Sequence, residues 1–179
     1  MDKIIPFDDI ENNFHFFDAF STKKSFFSIF VNKNKTRFFP ANLDVLHFAI
    51  INSVLQEKLK LEHCGVYSYI INLASKRGFS IDCVNMMFSE KIQLPLVNLV
   101  IRNNRTKKID DISKLFLLPV DGAVISFLLK IPINIEENSL QYLTLPIIPG
   151  LELGLLIEFL KSSITAMEEK NGGTNQCIT

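Results

Sequence analysis

The stretch LPVDGAVISFLLKIPINIEE, residues 118–137, limits what this chain can fold into more than any other segment. Ala123, Val124, Phe127 and Leu128 form one helical stripe, and Ile125 and Leu129 cover the opposite side. A helix that is apolar nearly all round has no face to give to water, so other elements must enclose it. IPINI follows at once and reads as a strand, so the enclosed helix feeds straight into a sheet. Asp121 is the one acid before that strand, and it sits where the helix begins. Its carboxylate has two readings. It can accept hydrogen bonds from the first free N–H groups of the helix, or it can be presented at the strand-to-helix turn for chemistry.

The other elements fit around this core. An aromatic strand is expected near residues 14–20, and KSFFSIFVNKNKTRFFP reads as a hairpin turning at Asn32, Lys33 and Asn34 and closed by Pro40. NLDVLHFAIINSVLQEKLK, residues 42–60, reads as a helix capped by Asn42, with Asp44 in its first turn and lysines at its far end. A second helix is expected from Gly65 to Arg77, with Gly78 as the left-handed residue that ends it. FSIDCVNMMFS alternates as a strand, with Ile81 and Cys83 on one face and Val84, Met86 and Phe88 on the other. IQLPLVNLVI pairs back onto it, and Pro95 marks an edge or a bulge. RNNRTKKIDD reads as a polar loop, SKLFLLP as a short strand and LELGLLIEFLKSSITAMEE as a terminal helix. Hairpins outnumber crossovers, so the expected class is α+β, a single domain with a mainly antiparallel or mixed sheet, packed helices and a C-terminal helix. The expected layout is a domain over 14–143, the helix over 150–169 and a disordered tail over 170–179.

With 19 basic and 19 acidic residues the net charge is zero. That argues against a protein that coats nucleic acid, whose affinity comes mostly from neutralising phosphates. Sixteen Phe and no Trp imply either a largely aromatic core or a phenylalanine surface that meets a partner. FHFF and SFFSIF are apolar on both faces, which suits strands covered by the chain's own helices or by a second subunit, giving a homo-oligomer through the Phe-rich strands or the C-terminal helix. Cys64, Cys83 and Cys177 lack zinc-clip spacing and read as reduced thiols. The opening MDKIIPFDDIENN has acids where a signal peptide needs a basic lead, and no apolar run reaches the roughly 18 residues of a membrane span. A cytoplasmic protein without a membrane partner is expected.

Three stretches resemble the bifunctional nuclease (BFN) domain family. RFFPANLDVLHFAI is similar to the family's strand and first helix, and YIINLASKRGFSIDCVNMMF to its second helix, glycine stop and strand. LPVDGAVISFLLKIPINIEENSL is similar to its Arg-Pro-Ser-Asp-Ala turn, alanine-rich helix and proline-led strand. Pro119, Asp121, Asn72 and Gly78 match the family pattern. Leu118 and Val120 replace its arginine and serine, Val66 and Tyr67 replace its Thr-His pair, and Asp44 stands in for a glutamate.

The resemblance implies a metal-assisted nuclease that hydrolyses phosphodiester bonds of RNA and DNA. Asp121 would hold a Mg²⁺ or Mn²⁺ ion or a water, with Asp44 assisting. Arg102, Arg105, Lys107 and Lys108 would dock the nucleic-acid strand. The substitutions in the polar half of the signature imply the alternative, a catalytically lapsed BFN-fold interaction or regulatory module. Among the histidines, His47 reads as a core or boundary residue, His63 as a surface-loop residue that could reach the family's histidine position, and His15 gives no signal.

Overall fold

The computed structural model describes residues 12–111 and 117–172. Its elements run β1 (Asn13–Ser21), β2 (Phe26–Asn32), β3 (Arg37–Leu43), α1 (Val45–Leu55), α2 (Val66–Lys76), β4 (Phe79–Ser89), β5 (Leu94–Asn103), β6 (Ile109–Asp111), α3 (Pro119–Leu129), β7 (Ile133–Ile135), α4 (Leu140–Leu143), β8 (Leu145–Pro146) and α5 (Leu153–Gly172). The class is α+β, as expected. The strands form one mixed sheet in the order β6-β5-β4-β7-β1-β2-β3-β8. β7 lies parallel to β4 and antiparallel to β1, so it joins an N-terminal meander, β1 to β3, to a second one, β4 to β6.

Strand β2 is covered on both faces by the chain itself, whereas Phe17 of β1 stays exposed. In β2, Phe26 and Phe30 turn toward α1 and α3, while Phe27, Ile29 and Val31 turn toward α5. Phe16 packs edge-on against Phe30 and Phe127, with ring centroids 5.7 and 4.6 Å apart. On the other face Leu156 and Ile157 of α5 close over Phe20, Ile29, Val31 and Phe38. Of the two covers left open by the sequence, α5 therefore supplies one within the chain. As expected, α3 is enclosed: Ala123, Val124 and Ile125 are fully buried. A Cβ built on Gly122 would lie 2.7 Å from Cγ1 of Val97 and 3.0 Å from Cγ1 of Val84, so a hydrogen there lets the helix sit down on β4 and β5. Gly78 (φ 79°) ends α2 in the left-handed conformation.

Several local expectations are corrected. Pro40 does not close its strand, because β3 continues to Leu43. Past Phe38 the outer side of β3 has no strand partner among the described residues, and there a missing N–H breaks no ladder. Asp44, not Asn42, caps α1, and the helix stops at Leu55 before the lysines, with left-handed Glu57 (φ 57°) just beyond. Ile81 shares the core face with Val84 and Met86, while Cys83 is buried on the other, because a bulge between Ile81 and Cys83 shifts the alternation by one residue. The end of the polar loop after β5 pairs back as β6. The strand expected at SKLFLLP falls largely on residues outside those described; Leu117 bridges to Val97 and Pro119 already begins α3. The terminal helix runs on to Gly172, and residues 173–179, with Cys177, lie outside the described residues.

Candidate functional site

The N-termini of α1, α2 and α3 meet around one imidazole. Asp44, in extended backbone (φ −83°, ψ 173°), accepts the backbone N–H of His47 at 2.9 Å and so begins α1. The same carboxylate reaches His47 a second way, with Oδ2 2.7 Å from ring Nδ1. That contact lies off the direction of a ring N–H, so it is a close approach rather than a directed hydrogen bond. On the other side of the ring Nε2 is 3.5 Å from Oδ1 of Asp121. Tyr67, in the first turn of α2, donates its hydroxyl to that same oxygen at 2.6 Å. The rings of His47 and Tyr67 meet edge to face at 6.1 Å between centroids.

Asp121 therefore does not cap its own helix. Leu118 occupies the cap position of α3 without a side-chain hydrogen bond, Pro119 opens the first turn, and the Asp121 carboxylate is turned across to α2 and α1. Access to solvent is graded: the side chains of Asp44, Asp121 and His47 are 60%, 27% and 14% exposed. The backbone N–H of His47 holds the Asp44 carboxyl below its usual range, against a smaller opposing effect of burial and with help from the ring. Burial, then the hydrogen bond and charge of Asp121, push the Tyr67 phenol well above its ordinary value. Tyr67 is thus a fixed neutral donor. Three helix N-termini, each worth about half a positive charge, face the carboxylates and offset part of their negative charge.

The two aspartates singled out in the sequence are brought together, through His47 rather than directly. Both carboxylates are turned onto the ring, and among the described residues no group of three or more His, Cys, Asp or Glu side chains is arranged to hold a metal ion. This donor set, as it stands, does not fit a divalent cation. The basic residues are elsewhere. Arg102 is ion-paired with Asp82 at the β4 bulge, and Arg105, Lys107 and Lys108 are exposed on the turn between β5 and β6, which Asn103 shapes by accepting the N–H groups of Arg105 and Thr106. Arg102 and Asp82 share a shallow pocket with Ile131 and Pro132, just past the C-terminal end of α3. Asp121 is at the other end of that helix, about 14 Å away along its axis at 1.5 Å per residue. His63 is exposed on a 3-10 turn (Leu61–His63), and His15 is exposed on β1.

His47 and Tyr67 are the site members that the residue pattern alone undervalued. The spacing of His47, one helical turn after Asp44, was a usable signal. Tyr67 stands out in the sequence only as a departure from a Thr-His pair, and its hydroxyl donates to Asp121. No protein-family model matches this chain, and no curated protein matches it. Among the described residues no helix is long and apolar enough to cross a membrane.

Proposed function

We propose that the chain is a domain of the bifunctional nuclease type, cleaving phosphodiester bonds of RNA or DNA at the Asp44–His47–Asp121–Tyr67 cluster. The observation that carries this reading is the meeting of Asp44 and Asp121, far apart in sequence, on the two sides of one partly accessible imidazole. Histidine is the side chain best suited to move protons near neutral pH. Asp44 orients the ring, Oδ1 of Asp121 lies 3.5 Å from its opposite nitrogen, and Tyr67 fixes Asp121. In such a site His47 delivers a proton to the departing oxygen, and Asp121 takes one from the attacking hydroxyl or water.

The test uses labelled single-stranded RNA and DNA incubated with wild-type protein, His47→Ala and Asp121→Asn, each with Mn²⁺ or with EDTA. Removing the proton carrier should slow cleavage by about a hundredfold or more. Cleavage that is unaltered in both variants would refute the assignment, and cleavage surviving EDTA would separate this proton-transfer site from a metal-assisted one.

A second reading, a catalytically lapsed interaction or regulatory module, has its own observation. Oδ1 of Asp121 is already engaged by Tyr67, both ring nitrogens of His47 face carboxylates, and the basic turn lies at the far end of α3. In that case no cleavage occurs under any condition, and the cluster serves only to tie three helices together.

A further inference from the structure

We propose that a cleft beside the N-terminus of α3 binds a base of single-stranded nucleic acid, next to the His47 cluster; this rests on the nuclease reading above. The cleft has a volume of about 430 Å³ and runs from the open edge of β3, at Phe39 and Asn42, past Pro119 and Val120, to Gln141 and Tyr142 of α4. Small-ligand sites fall between roughly 300 and 1,000 Å³, so a nucleoside fits. None of the lining residues carries a charge. A phosphate would find no partner there, whereas a flat neutral ring with polar edges would.

Tyr142 supplies the stacking surface. Its ring stacks on Phe88 at 4.7 Å between centroids and 20° between planes, and its hydroxyl donates to Glu90 at 3.1 Å, so the ring is held before any ligand arrives. The residue is 49% exposed and is one of those lining the cleft. The Asn42 and Gln141 amides each carry a donor and an acceptor, the pair of functions that the hydrogen-bonding edge of a base requires. Placement links the cleft to the chemistry: Pro119 and Val120 immediately precede Asp121, and Asn42 lies two positions before Asp44. Charge argues the same way. A chain of zero net charge gains little from phosphates, so strand affinity has to come from stacking.

Fluorescence anisotropy with a fluorescein-labelled single-stranded oligonucleotide, at low salt and with His47→Ala to halt turnover, reads the binding without cleavage. In this background Tyr142→Ala should weaken binding about tenfold, Tyr142→Phe should leave it near that of the parent, and Asn42→Ala should shift base preference. An abasic oligonucleotide of the same length should compete poorly. The proposal is overturned by no saturable binding at micromolar protein, by equal binding to Tyr142→Ala, or by equal competition from the abasic strand. It is overturned equally if an extended peptide, pairing with the open edge of β3, displaces nothing yet itself binds in a Tyr142-dependent way. Tyr142-dependent binding without cleavage by the wild-type protein would sink the nuclease reading and leave the cleft assigned. Cleavage without Tyr142 dependence would do the reverse.

Discussion

Replacing Tyr67 by Phe removes a single oxygen from the junction of three helices. The ring is 4% exposed and stays packed, so no cavity opens; what is lost is the hydroxyl given to Asp121 at 2.6 Å. A hydrogen bond to a charged acceptor contributes about 1.5–3 kcal/mol. The Asp121 side chain is 27% exposed, so water takes over part of the bond and the expected cost lies at the lower end, about 1–2 kcal/mol. In a chain of this length that lowers Tm by about 2–8 °C. Urea unfolding followed by circular dichroism measures it, with an unchanged m-value showing that the denatured state has not altered. A double-mutant cycle with Asp121→Asn isolates the pair, and a coupling of about 0.5–2 kcal/mol is expected. Full additivity of the two substitutions, or a Tyr67→Phe protein as stable as wild type, would show that the contact ties nothing together.

Three further outcomes follow from the same structure. Because the folded pKa of Tyr67 is raised above its ordinary 10.0, the contribution of its protonated form is complete below that pH and lost as pH rises past it. The stability gap between wild type and Tyr67→Phe should therefore narrow in alkali, and a phenolate absorbance titration should show one tyrosine ionising only as the protein unfolds. Asp44 has the opposite sign. Its pKa is lowered from 3.8, so its contribution is present above that value and lost as pH falls below it, and Asp44→Ala should lower Tm at pH 7 more than at pH 3. Gly122→Ala gains about 1 kcal/mol of helix propensity but forces a methyl against Val97 and Val84, where overpacking costs about 1–3 kcal/mol. Net destabilisation in urea is expected, with recovery when Val97→Ala makes room.

What the sequence revealed was mostly local. The nearly all-apolar pattern of residues 123–129, broken only by Ser126, required burial, and Lys76, Arg77 and Gly78 ended a helix, whatever surrounded them. The errors came where a distant neighbour decides. Pro40 is tolerated in mid-strand because of what fails to pair beside it, and the Asp82 bulge depends on the register against β5. The site divides in the same way. Asp121 and Asp44 were found as carboxylates at helix starts, but which of them caps a helix and which reaches across is set by how α1, α2 and α3 are laid against one another. Tyr67 and Asp121 lie on different helices, and no spacing rule connects them.

β7 carries a consequence for how the molecule is made. The eight-stranded sheet is two hairpin-built ribbons, β1 to β3 and β4 to β6, stitched together along a three-residue seam formed from chain that lies after both, with β8 added later still at the β3 edge. In the sheet the two ribbons are joined through β7, and β7 follows directly on the greasy rod of α3. The sheet is therefore completed by strands from the last third of the polypeptide. A nick between α3 and Pro132 would uncouple β7 from the rod, and the two half-sheets would lose the strand that joins them.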